Sequence, residues 1–185
     1  MNNRRSFIIG LKSLKLSAKE RIFLKEYKPW GVILFARNIK SIKQTSKLTS
    51  SIRKIFNDRK YPILIDQEGG RVNILKNLIS FDNLTSEFFG NKYINNVKEF
   101  KIYYKLFIDK TSYLLRSIGA NINTTPVLDL RIKGASNVIG DRSFSVDPKI
   151  VSKIGDYCIK YYHENGIGTV IKHIPGHGLA KVDSH

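Results

Sequence analysis

Apolar residues along the chain gather into five short runs, each separated from the next by sequence with helical signals. The runs are Ser6–Gly10, Gly31–Phe35, Pro62–Asp66, Asn121–Asp129 and Gly168–His173. β-Branched residues concentrate in Val32-Ile33-Leu34, Ile63-Leu64-Ile65 and Val170-Ile171, which favours strands. Apolar runs of this kind suit parallel strands covered on both faces. Between them, Ser17-Ala18-Lys19-Glu20 has the form of a capping box, in which the serine oxygen accepts a backbone N–H and the glutamate reaches back. Residues Ser41 to Phe56 place Ile42, Leu48, Ile52, Ile55 and Phe56 on one side of a helix. An amphipathic stretch from Val97 to Ile118 ends at Gly119, a natural helix stop. The last helix has Asp147 as its cap, Pro148 in its first turn and Gly166 beyond its end.

Strand followed by helix, repeated, predicts an α/β protein with a parallel sheet. A doubly wound sheet and a partial (β/α)8 barrel both satisfy the pattern. The first strand is followed by no glycine-rich dinucleotide turn, which lowers the first option. No linker or shift in composition marks a second domain, so residues 1–185 read as one unit.

Composition changes this picture little. The 185 residues are 42% hydrophobic, ordinary for a globular protein, and no apolar run approaches the ~20 residues of a membrane span. The chain is expected to be soluble, with no membrane partner. A single cysteine, Cys158, excludes an internal disulfide and fits a reducing, cytoplasmic setting. It lies among Ile150, Ile154, Tyr157 and Tyr161 at helical spacing, the mark of a buried face rather than a nucleophile. Arg4-Arg5 superficially resembles a twin-arginine export signal, but the apolar run behind it stops at Lys12 and no small-residue cleavage site follows. The formal net charge of +17 would attract polyanions non-specifically. The lysines are scattered along the chain, however, and no zinc-finger or RNA-recognition signature accompanies them, so no specific nucleic-acid partner is expected.

The polar residues collect where the apolar runs end. Phe35 is followed by Ala36-Arg37-Asn38, and Ile65 by Asp66-Gln67-Glu68-Gly69-Gly70-Arg71. Leu128 is followed by Asp129 and a polar loop carrying Arg142, and Ile171 by Lys172-His173-Ile174-Pro175-Gly176-His177-Gly178. In a barrel these strand ends form one shared mouth, where such folds place their chemistry. Gly69-Gly70 beside Asp66 suggests close approach of the backbone to a ligand. His173, His177, Asp183 and His185 invite a metal reading, but Pro175 and Gly176 prevent helical presentation of the pair, and neither metal nor cofactor is expected.

The stretches Asp66–Val72, Pro126–Asp129, Gly140–Phe144 and Lys172–His185, in that order, resemble the family 3 glycoside hydrolases. The last, KHIPGHGLAKVDSH, is similar to the segment that marks the family's bacterial β-N-acetylhexosaminidases. The resemblance covers nearly the whole chain. It implies an incomplete TIM barrel of about the first five βα units, and a retaining enzyme that removes terminal β-linked N-acetylglucosamine. Peptidoglycan-derived muropeptides in the cytoplasm are the implied carbohydrate substrates, as in cell-wall recycling. By the same resemblance Asp66, Arg142, Lys172 and His173 bind the sugar, His185 is the general acid/base and Asp183 its partner. The family's nucleophile is an aspartate on a later strand, so these 185 residues are expected to be inactive alone. A second arginine common in the family after Arg71 has no counterpart here, where Asn73 and Ile74 stand. A histidine acid is chemically reasonable, because imidazole titrates near neutrality and a neighbouring carboxylate orients it and raises its proton affinity. The alternatives are a non-catalytic sugar-binding remnant and a basic nucleic-acid-associated protein.

Overall fold

A computed structural model describes residues 4–182. Five parallel strands pair in strict chain order, β1 (Arg5–Gly10), β2 (Pro29–Leu34), β3 (Ile63–Ile65), β4 (Ile122–Asn123) and β5 (Gly168–Thr169). Sequential parallel order, each strand beside the last, is how a barrel winds. The sheet is an arc of an incomplete (β/α)8 barrel, and the doubly wound alternative is excluded. Helices α1 (Ala18–Tyr27), α2 (Ile42–Phe56), α4 (Val97–Ile118) and α5 (Pro148–Glu164) pack as neighbours in the order the winding requires. A further helix, α3 (Ser86–Asn95), packs on α4 and α5 within the long β3–α4 connection. No helix among the described residues is long and apolar enough to cross a membrane.

The local signals act as read. Ser17 Oγ accepts from the Glu20 N–H while the Glu20 carboxylate accepts from the Ser17 N–H, closing the capping box of α1. Ser41 caps α2, Gly119 ends α4 in the left-handed region at φ 81°, and Asp147 caps α5 with Pro148 in its first turn. Val32, Leu34, Ile63 and Ile65 from the central strands are fully buried with Ile52, Phe100, Ile108, Leu115 and Ile154 from the helices. Cys158 is buried among them, and its burial pushes the thiol up to about 11, the inert state expected of a core cysteine.

Two expectations change. The fourth and fifth runs pair as strands over only two residues each before Pro126, which has no N–H to donate, interrupts the ladder. Pairing resumes beyond it: the Leu128 N–H donates to the Lys172 carbonyl at 2.7 Å, and the Lys172 N–H to the Pro126 carbonyl at 3.1 Å. The second change is α3, which the sequence reading did not anticipate. Its cap, Thr85, accepts from the Phe88 N–H, but Phe89 and Gly90 are the main contribution of its centre to the core, too short a stripe to announce a helix.

Candidate active site

Asp66 closes β3, Arg142 lies in the β4–α5 connection, and Lys172 and His173 follow β5. All four stand at the carboxyl end of the sheet. The Asp66 Oδ1 accepts from Thr124 Oγ1 at 2.9 Å and from the Lys172 ammonium. Lys172 Nζ also lies 2.5 Å from Glu68 Oε1. Arg142 forks onto that same carboxylate, Nε to Oε2 and Nη2 to Oε1, both at 2.8 Å. The Glu68 side chain is 2% exposed. Burial pushes its carboxyl up, but the Arg142 hydrogen bonds and the charges of Lys172 and Arg142 outweigh this and hold it below the usual range. Its hydrogen bond in turn raises the Arg142 guanidinium.

The loop that presents these carboxylates is fastened by amides. The Gln67 N–H donates to Asn123 Oδ1 at 3.0 Å, and Asn123 Nδ2 donates to the Gln67 carbonyl at 2.9 Å. A side chain on β4 thus continues the ladder where β3 has ended. Gln67 Oε1 accepts from the Leu75 N–H at 3.0 Å and draws the far side of the loop inward. Arg71 donates to Asp141 and to the carbonyls of Asn137, Val138 and Ile139, pinning the segment that carries Arg142. Gly69 and Gly70 have φ of +98° and +56°, but a Cβ on Gly69 would meet the Leu84 carbonyl oxygen at 2.2 Å and one on Gly70 would meet Thr85 Cγ2 at 2.7 Å. The glycines are therefore required by the protein's own returning chain, which corrects the expectation of backbone approach to a ligand. Asn73 is buried and donates to the Ile79 carbonyl, while Ile74 packs against the core.

On the other side of Lys172, the buried Asp129 accepts from the backbone N–H groups of His173 and His177 and lies 2.6 Å from His173 Nδ1. Ser143 Oγ donates to the Asp129 carbonyl at 2.7 Å, which ties the Arg142 segment to the same strand end. Asp66, Arg142, Lys172 and His173 are thus brought together, while Asp183 and His185 lie outside the described residues. Glu68, Asn123, Thr124 and Asp129 were not among the predicted site residues. The available signal was a charged or amide residue embedded in, or directly behind, a buried run. No group of three or more His, Cys, Asp or Glu among the described residues is arranged to hold a metal ion.

The cluster suits neutral, hydroxyl-rich ligands. Asp66 Oδ2 has no hydrogen-bond partner among the described residues and is an acceptor, and Lys172 retains a donor beyond its two carboxylate contacts. Paired carboxylates and cations at the carboxyl end of the barrel arc stand where (β/α)8 folds place their chemistry. Residues 6–185 match the family model for the glycosyl hydrolase family 3 N-terminal domain, and the chain belongs to that family. It is 32% identical over 179 residues to a β-hexosaminidase of Xanthomonas campestris pv. campestris strain B100, covering 96% of this chain and 53% of that one. It is 35% identical over 179 residues to a β-hexosaminidase of Hydrogenovibrio crunogenus, covering 96% and 49%. Among solved structures it is similar to NagZ from Neisseria gonorrhoeae in complex with N-trifluoroacetyl-D-glucosamine, with 28% identity, a TM-score of 0.88, and coverage of 98% of this chain and 53% of that one. The chain spans about half the length of the curated relatives it matches.

Proposed function

We propose that the chain forms the sugar-holding part of a retaining glycoside hydrolase that removes terminal β-linked N-acetylglucosamine. The observation that carries this reading is the convergence of Asp66, Lys172 and His173 on one mouth, braced by Glu68 and Arg142. The two β-hexosaminidase relatives and the NagZ complex with an N-acylated glucosamine support the substrate class. Asp66 accepts from ring hydroxyls and Lys172 donates to them. Arg142, most of whose donors go to Glu68 and the Val138 carbonyl, holds the carboxylate that sets Lys172 and turns its remaining donors to the sugar. His185 gives its proton to the glycosidic oxygen as the bond to the anomeric carbon breaks, and Asp183 orients it. A carboxylate traps that carbon from the opposite face, and water releases the sugar, with His185 now taking the proton. No described residue is assigned as that carboxylate. Muropeptides derived from peptidoglycan are the proposed natural substrates, and the cytoplasm the proposed location.

The test is release of 4-nitrophenol from its N-acetyl-β-glucosaminide by the polypeptide of the complete reading frame. Hydrolysis is expected to fall at least about a hundredfold in His185→Ala, the scale of a lost acid/base group, and roughly ten- to a hundredfold in Asp66→Asn, the worth of a charged hydrogen bond. Cleavage of the plain β-glucoside in preference to the N-acetylated one, or full activity in either variant, would overturn it.

A further inference from the structure

The Asp129 side chain is wholly buried, at 0% exposure, yet it belongs to neither the Asp66–Lys172 nor the Glu68–Arg142 pair. Its contacts are with the turn from His173 to His177. One oxygen accepts from the His177 N–H, and the other accepts from the His173 N–H at 3.0 Å and faces His173 Nδ1 at 2.6 Å. The carboxylate therefore spans both ends of the turn and meets the imidazole edge-on through one nitrogen. The His173 side chain is 36% exposed, and its Nε2 has no hydrogen-bond partner among the described residues.

An ionised carboxylate has no proton to give, so a neutral imidazole beside it must carry its proton on the facing nitrogen. Asp129 is suited to that form: burial pushes its carboxyl up, but the donated N–H of His177 and the His173 contacts hold it below the usual range. Three fixed donors on one buried carboxylate also leave His173 little freedom to turn.

We propose that Asp129 is a positioning residue that locks His173 as its Nδ1–H tautomer, so that Nε2 is presented as an acceptor for a hydroxyl proton of the bound sugar. The mouth then carries acceptors at Asp66 and at His173, with the Lys172 ammonium between them as donor. A ligand is recognised by hydroxyls that donate to both flanks, and a ligand offering only acceptors there is refused. The proposal rests on the sugar-binding reading of the mouth.

The tautomer is read directly by long-range ¹H–¹⁵N correlation of the imidazole nitrogens in ¹⁵N-labelled chain near pH 8.5, above ordinary imidazole titration at about 6.5. His173→Ala identifies the signals among the four histidines. The expected pattern has a protonated Nδ1 and a bare Nε2. A protonated Nε2, exchange between both forms, or a doubly protonated ring overturns the proposal. In Asp129→Ala the facing acceptor is gone, so the ring should lose its fixed Nδ1–H form and populate Nε2–H, and the affinity for N-acetylglucosamine should fall about three- to tenfold, one neutral hydrogen bond. Retention of Nδ1–H in that variant shows that Asp129 does not set the tautomer. The wild-type measurement needs no sugar. An Nε2–H ring therefore leaves the glycosidase reading standing, whereas an Nδ1–H ring in a chain that binds no N-acetylglucosamine counts against that reading alone.

Discussion

Replacing Glu68 by glutamine should destabilise the fold more than any other isosteric change at the mouth. Its carboxylate is 2% exposed and holds two cations whose side chains are themselves 13% and 11% exposed, Arg142 and Lys172. At ~4 Å and an effective dielectric of ~20, each ion pair contributes roughly 4 kcal/mol, so neutralising Glu68 removes about 8 kcal/mol of attraction. The glutamine avoids the burial cost of a carboxylate, several kcal/mol, which returns about half. Asp66 still faces Lys172 and softens the remaining repulsion. The net expectation is a loss of about 3–4 kcal/mol, within the range seen when one partner of a buried pair is removed. Urea unfolding followed by circular dichroism measures it, and with a slope near ~2 kcal/mol/M the midpoint should fall by roughly 1.5–2 M. The double variant Glu68→Gln/Lys172→Met should recover part of that loss, because one stranded cation leaves with the anion. A loss below about 1 kcal/mol in the single variant, or strict additivity in the double, would refute the view of Glu68 as the electrostatic keystone.

Acid should weaken the fold through the same groups. Glu68 and Asp129 both have folded values held below their ordinary ones, so their contribution is complete above the unfolded values near ~4 and is lost as pH falls through the folded values. Stability measured from pH 6 down to 2 should drop, and Glu68→Gln/Asp129→Asn should flatten the profile; an unchanged slope would contradict it. Gly90→Ala, a favourable change in an exposed helix, should instead cost about 3 kcal/mol or more in urea, because its Cβ would lie 1.7 Å from the Phe144 carbonyl oxygen behind Arg142. Neutral or improved stability would show that α3 does not brace that segment.

The sequence made the scaffold legible because its signals are local. The Ser17 capping box, the Asp147-Pro148 start and the β-branched runs of β2 and β3 each determine their element within a few residues. The grouping of Asp66, Arg142, Lys172 and His173 was legible because all four follow parallel strands in a repeating order, which places them at one end of the sheet. What stayed hidden depends on partners far apart in sequence. Glu68 is 74 residues from Arg142, Asp129 is 44 from His173, and Asn123 is 56 from Gln67. Each is a charged or amide residue in or directly behind a buried run, which hints at burial but does not say which distant partner takes up its side chain. Gly69 and Gly70 misled for the same reason, since the chain they accommodate returns at Leu84 and Thr85.

Binding of N-acetylglucosamine at the mouth through Asp66 can be followed by backbone amide titration of the ¹⁵N-labelled chain with that sugar. Saturable shifts are expected at Asp66, Gln67, Lys172 and His173. In Asp66→Asn the affinity should be lower by roughly ten- to a hundredfold, the worth of a charged hydrogen bond. Shifts confined to other parts of the surface, or equal affinity in the variant, would contradict it.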